Sequence, residues 1–229
     1  MNDRDRWLDR IAHDLRGPLS PLQTAAWLLK GDAGRPDPDR LDPERRQELV
    51  EIIERQSRRL ARMIDELGDW SRAQQGRLLG VRDTCTLPNL VDLAVGAIPG
   101  CNIDPYVDNA CASLQLDCDQ HRLVQAIKSL LEYAIARGGA ALSMACDDDT
   151  ARIDIVVGDV PVDADALPML LDQPDPAPFD EGLGLRLPLA RAIIEAHGGT
   201  LCAMPDASGR LCLSCALPAR ASGSAQPAG

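Results

Sequence analysis

With 229 residues, 45% of them hydrophobic, the chain is long enough for one or two domains with real cores. Its first 79 residues balance 15 basic against 15 acidic side chains, so the whole net charge of −11 falls on residues 80–229; that excess acid argues against nucleic acid as a partner and makes a poor field for a triphosphate. No run of eighteen apolar residues occurs, and the N-terminus is charged from Asp3 onward with no signal-peptide core, so a cytoplasmic protein with no membrane contact is expected.

Residues from about 3 to 30 read as one long helix. Apolar side chains at Leu8, Ile11, Leu15, Leu19, Leu22, Ala26 and Leu29 mark a single stripe at three- and four-residue spacing. His13 follows Ile11 by two positions, about 200° round the helix, so it points away from that stripe. Asp14 sits beside it, where a carboxylate can hold an exposed imidazole in one tautomer and make it a better nucleophile. Gly31 to Pro43 carries several breakers and reads as a turn. A second helix is expected from Pro43 to about Gln75, with its stripe at Leu49, Ile53, Gln56, Leu60, Met63, Leu67 and Trp70. Gln56, the polar member of that stripe, is expected to fix register. The hairpin's apolar face is too wide to stand alone, and pairing with a second copy into a four-helix bundle covers it. Arg55, Arg58, Arg59 and Arg62 cluster on the second helix; the run reads equally as a solvated face or as a steering surface for an acidic partner.

Residues 76–84 read as a linker. Beyond it, strands are expected at Ser113–Asp117, Ala140–Cys146, Ala151–Val157, Thr200–Met204 and Arg210–Leu217. Helices are expected at Asp119–Arg137, stopped by Gly138-Gly139, and at Leu185–His197, stopped by Gly198-Gly199. The fold class is therefore α then α+β: a helical hairpin over 1–78, then an α/β sandwich with helices on one face of a mixed sheet over 79–218. Residues 219–229 are small and polar and read as a disordered tail. The eight cysteines show no framework. The one C-x-x-C, Cys212 to Cys215, falls in an alternating stretch with no second pair, so small buried hydrophobes are expected rather than a metal or redox site.

His13-Asp14-Leu15-Arg16-Gly17-Pro18-Leu19 resembles the H-box of two-component sensor histidine kinases, roughly His-Glu-Leu-Arg-Thr-Pro-Leu. Gly182-Leu183-Gly184-Leu185, followed by Ile193 to Gly199, is similar to the glycine-rich segment of their ATP-binding domain, which shares the fold of gyrase-type ATPases. The resemblance spans residues from about 3 to 218. It implies His13 as phospho-acceptor, Asp14 as the base that takes its proton, and Arg16 as a group steadying phosphate charge. Gly17 departs from the family's Thr or Asn, which orients water for dephosphorylating the partner, so that activity is not expected.

The nucleotide positions depart further. Aligned on Ser129-Leu130-Leu131-Glu132-Tyr133-Ala134, the family's metal-binding asparagine is Tyr133, an earlier asparagine is Ser129, and a usual lysine is Ala136. A phenol at neutral pH is a poor Mg²⁺ ligand. The Asp-x-Gly-x-Gly box becomes Asp159-Val160-Pro161-Val162-Asp163, keeping the adenine-binding Asp159 and losing both glycines. The lid, Asp172 to Glu181, is proline-rich with four acids and no base, and Asp180 replaces the first glycine of the following box. Gly182 and Gly184 remain at the phosphate-cradling turn, where they also suit a tight turn and close helix packing.

The resemblance therefore implies a dimeric phosphorelay protein that carries phosphate on His13. It would exchange that phosphate with response-regulator receiver domains, fed by an upstream hybrid kinase, using receiver-bound Mg²⁺ and no ATP of its own. The start of the chain, so close to the H-box, fits a protein with no sensor segment. Two alternatives stay open: an active soluble kinase that labels His13 from Mg-ATP, and a non-catalytic module that docks on and inhibits a signalling partner.

Overall fold

The computed structural model describes residues 3–34, 36, 40–108, 111, 114–147, 149–161, 167–175, 178–179 and 182–219, with side chains from Asp9 onward except those of 159–161 and 168. The side chain of Leu8, the lid residues Asp180 and Glu181, and residues 220–229 lie outside this set. Compactness divides the chain into Met1–Gly68 with Asp180–Leu183, and Asp69–Phe179 with Gly184–Gly229.

The first unit is built on helices α1 (Asp3–Ala33) and α2 (Pro43–Gln74). On α1 the buried residues are Ile11, Pro18, Ala25 and Asp32, with Leu15, Leu22 and Leu29 half-buried between them. This corrects the expected stripe. Leu19 is 39% exposed and Ala26 is exposed, because the seam follows a strict alternation of four and three residues through the small side chains Pro18 and Ala25. Pro18 and Pro21 lie inside α1; each removes an N–H, so the carbonyls of Asp14 and Gly17 lose their usual helical donors. On α2, Leu49, Gln56 and Met63 are buried and Ile53, Leu60 and Leu67 half-buried, as the spacing predicts. Asp32 closes the hairpin. Its carboxylate accepts the Leu41 N–H at 2.5 Å and Arg46 Nη2 at 2.8 Å, and these two bonds hold its pKa below the usual range.

The second unit contains β1 (Asp83–Thr86), α3 (Leu87–Gly96), β2 (Tyr106–Val107), β3 (Gln115–Cys118), α4 (Gln120–Ala136), β4 (Ala140–Asp147), β5 (Thr150–Pro161), α5 (Leu167–Leu170), α6 (Arg186–Ala196), β6 (Thr200–Pro205) and β7 (Arg210–Pro218). A five-stranded mixed sheet runs β2-β4-β5-β7-β6, parallel only between β2 and β4; β1 and β3 form a separate antiparallel pair. Helix α4 turns Leu123, Ile127, Leu130 and Leu131 into the core, where they meet Ile193 and Ile194 of α6 and Ile153, Ile155 and Leu213 of the sheet. Each such side chain contributes about 1.5–3 kcal/mol. Four elements were not foreseen, one of them the single-turn helix α5. Helix α3 buries Leu87, Leu90, Val91 and Ala94, a helical spacing that was legible; β1 and the two-residue β2 are too short to announce themselves.

Three further expectations are corrected. Strand β5 continues to Pro161 after a register shift between Val156 and Pro161, so Asp159 lies within the strand, beyond its expected end at Val157. Cys111 and Cys146 are joined by a disulfide, their Cα atoms 5.4 Å apart across 35 residues, so the cysteines are not all free hydrophobes. Ala219, placed in the tail by the sequence, is buried and its N–H donates to the Asp149 carbonyl at 2.8 Å. Cys212 and Cys215 are buried thiols raised by that burial to about 11 and about 12; an odd separation along β7 turns them to opposite faces.

Two polar anchors hold the start of α4. Asp119 caps it, accepting the Arg122 N–H at 3.1 Å and the Gly80 N–H at 2.7 Å. Its own N–H donates to His197 Nε2 at 3.0 Å, while His197 Nδ1 lies 2.7 Å from the Ile193 carbonyl. A backbone N–H can only donate, so Nε2 accepts and the proton sits on Nδ1. The second anchor is Asp69, buried near the C-terminal end of α2 where the second unit begins, which binds Arg72 (2.5 Å), Arg122 (2.8 Å) and Gln125 (2.7 Å). Burial pushes its pKa up, but the bonds from Gln125, Arg72 and Arg122 outweigh it and hold the carboxyl below the usual range.

Burial lowers the pKa of His197, against the raising effect of the Ile193 carbonyl. The unfolded chain takes up this proton near pH ~6.5, the folded chain only at lower pH, so stability is full above that value and falls as pH drops from there to the folded pKa. Thermal melts between about pH 7.5 and 5 are expected to show this loss, and His197→Gln to flatten that part of the profile. An identical pH profile in the variant would assign the titration to another group.

Candidate functional site

Helix α1 presents His13 to solvent, two positions past the buried Ile11. Asp14 is half-buried and turns toward the preceding turn, its Oδ2 3.6 Å from Arg10 Nε. Arg16 is exposed one turn on. At Gly17 a Cβ would meet nothing within 4 Å, so the site has room for the side chain it lacks. An exposed imidazole beside a carboxylate combines an accessible nucleophile with a local proton acceptor. Arg10 escaped the sequence reading, although its spacing of four to Asp14 is the signal of a helical ion pair.

On α2, Arg55, Arg58 and Arg62 are exposed and Arg59 is half-buried. Arg58 Nη2 lies 3.6 Å from Glu54, so acidic neighbours temper part of this basic run. Gly182 and Leu183 group with the helical unit, and there the Leu183 N–H donates to Glu66 Oε2 at 3.0 Å.

In the second unit, Tyr133 on α4 is 4% exposed, and the Arg137 guanidinium lies over its ring, 3.7 Å from the centroid. Burial raises the phenol's pKa, against the lowering effect of Arg137, so it is protonated at neutral pH. Arg137 Nη2 donates to Asp175 Oδ2 at 3.2 Å, and the Asp175 N–H donates to the Gly184 carbonyl at 3.0 Å. Gly184 has φ +74°, and a Cβ there would fall 2.3 Å from the Asp175 carbonyl oxygen. Asp159 lies on β5; its side chain is outside the described set. A cleft of about 420 Å³ opens elsewhere on this unit, lined by residues including Trp70, Leu171, Arg191 and Glu195.

Residues 3–76 match the family model of the His Kinase A (phospho-acceptor) domain. The chain is 28% identical over 201 residues to the sensor protein kinase PilS of Pseudomonas aeruginosa, covering 82% of this chain and 35% of that protein. By these matches the chain is similar to two-component sensor histidine kinases, and its first 76 residues carry the match to their phospho-acceptor domain. It spans about a third of the length of the curated relatives it matches. Among solved structures it is similar to the Acinetobacter baumannii histidine kinase AdeS, with TM-score 0.59, 19% identity, and coverage of 90% of this chain and 97% of that one. It is also similar to histidine kinase ThkA in its complex with response regulator protein TrrA, with TM-score 0.65, 20% identity, and coverage of 92% and 60%. These likenesses show the fold: a helical region followed by the family's α/β domain.

Within this histidine kinase framework, Mg-ATP is the group implied for the second domain, and the side chains there do not match it. The position that the resemblance gives to the metal ligand holds a buried, protonated phenol stacked beneath a cation, a poor ligand for Mg²⁺. Gly184 keeps the left-handed turn of a phosphate cradle, but its Cα is packed against the Asp175 backbone, and the Arg137 charge is engaged by Asp175. The sequence singled out Tyr133 and Gly184; it gave no sign that Arg137 and Asp175 come together across the fold.

Proposed function

We propose that this histidine kinase homologue acts as a phosphorelay protein that carries phosphate on His13 without using ATP of its own. The supporting observation is the contrast between its two units: His13 is presented to solvent with the half-buried Asp14 beside it, while a buried phenol stands at the position the resemblance gives to the metal ligand. In the proposed transfer, a neutral His13 nitrogen attacks the phosphorus of a receiver's aspartyl phosphate. The N–P bond forms, the acyl P–O bond breaks and the aspartate leaves as a carboxylate. The proton on the other ring nitrogen passes to Asp14, and the reverse sequence delivers phosphate to a second receiver. Arg10 orients Asp14, and Arg16 steadies phosphate charge. Mg²⁺ is supplied by the receiver.

The helical unit supports the dimer, since Leu19, Trp27, Val50 and Ile64 are exposed apolar side chains on α1 and α2 that a second hairpin would cover. Arg55, Arg58 and Arg62 suit steering of an acidic receiver surface, as response regulator TrrA is the partner in the ThkA complex. Among the described residues no helix is long and apolar enough to cross a membrane; the proposed reading places the protein in the cytoplasm with its receivers. The sensor kinases among its relatives favour a second reading, autophosphorylation from ATP.

Incubation with radiolabelled Mg-ATP, alone and then with a receiver phosphorylated by its own kinase, separates the readings. Acid-labile label is expected on His13 only with the phosphorylated receiver. Label from ATP alone would establish an active kinase, and no label under either condition would leave a docking module.

A further inference from the structure

We infer that Tyr133, Arg137 and Asp175 form a latch that fastens the lid arm onto the glycine turn, so that the second domain is held closed by its own side chains. This deepens the ATP-independent reading of that domain and rests on it.

Three contacts tie down the arm 172–175, and a fourth steadies the cation that makes one of them. The Arg137 guanidinium stands at the C-terminal end of α4, stacked on the Tyr133 ring at 3.7 Å, a geometry in which the ring's negative face attracts the cation. The same guanidinium donates to the Asp175 carboxylate at 3.2 Å, with both side chains about three-quarters buried. Asp175 is then tied from its backbone as well: its N–H donates to Gly184, whose bare Cα lets the two segments approach within a distance no Cβ would allow. At the start of the arm, three residues before Asp175, Asp172 pairs with Arg191 of α6. One aspartate thus joins α4 by its side chain and the turn ahead of α6 by its backbone.

The arrangement commits Arg137 to this task. Its Nη2 serves Asp175, its face serves Tyr133, and its Nη1 is buried without a hydrogen-bond partner among the described atoms. A buried guanidinium nitrogen left unsatisfied carries a desolvation cost, which is tolerated where the ring and the carboxylate over-determine the position of the head group. Tyr133 supplies the ring as platform, and among the described residues its hydroxyl makes no hydrogen bond, so the latch needs the ring alone.

Hydrogen exchange on the full chain tests it. In the wild type the Asp175 amide is expected to be protected. Arg137→Gln is expected to raise its exchange about tenfold or more while amides of β4, β5 and β7 stay as protected as before, and Tyr133→Phe to leave it unchanged. Asp175 exchange unaltered in a folded Arg137→Gln protein would overturn the latch. Should Arg137→Gln unfold the domain, Asp175→Asn carries the same test from the other end, since it removes the charge and leaves the backbone bond in place. Labelling of His13 by a phosphorylated receiver, measured on the same wild-type preparation, keeps the two ideas apart. Unaltered exchange with intact labelling rejects the latch alone, whereas absent labelling rejects the phosphotransfer reading.

Discussion

His13→Gln is expected to abolish acid-labile phosphate on the protein under every donor condition, with an unchanged melting curve. The side chain is exposed on α1 and makes no packing contribution to the seam of Ile11, Leu15 and Pro18, so the substitution removes the acceptor nitrogen and little else. Asp14→Asn is expected to keep the histidine and slow transfer by about 10²–10⁴, the usual contribution of a positioned general base. The Asn side chain preserves shape and removes proton affinity, so receiver binding should hold while the transfer rate falls. Rates from single-turnover transfer between a phosphorylated receiver and each variant measure both effects. Transfer at wild-type rate in Asp14→Asn would reassign the proton acceptor. Transfer surviving in His13→Gln would remove this histidine from the relay.

Gly184→Ala is expected to destabilise the second unit with no nucleotide present. Its φ of +74° costs an L-residue about 1–2 kcal/mol. A methyl 2.3 Å from the Asp175 carbonyl oxygen and 2.7 Å from its nitrogen forces backbone apart rather than a flexible side chain. A total of about 3 kcal/mol corresponds to a fall of roughly 6–12 °C in melting temperature for a domain of this size. Differential scanning calorimetry on the apo protein reads it directly. A melt matching the wild type would mean that the Asp175 and Gly184 backbones do not pack together, and the turn would then revert to the open phosphate cradle of the family.

Local periodicity made much of the molecule legible. The stripe of α2 and the apolar frame of α4 could be read because side chains three and four apart share a helix face wherever the helix packs. The stripe of α1 was half right. Leu19 and Ala26 look more apolar than Pro18, yet a seam against one partner helix is narrow, and residues outside its alternation of four and three point to solvent however greasy they are. Helix α3 carried the same kind of signal at Leu87, Leu90, Val91 and Ala94 and was passed over because it follows a linker and a four-residue strand. Gly17 and Tyr133 could be recognised as departures because the surrounding motif sets a frame in which a single odd residue stands out.

The sequence by itself determined the helical hairpin, the outward His13 beside Asp14, the α/β class of the second unit and the loss of the asparagine at position 133, since each is written in neighbouring residues. Only the tertiary structure decided which distant side chains meet. Arg137 meets Asp175 across 38 residues, His197 meets Asp119 across 78, and Cys111 meets Cys146 across 35. No spacing encodes such pairs. They depend on how α4, α6 and the sheet pack, and a charged or thiol side chain looks the same in sequence whether the fold brings it a partner or leaves it in water.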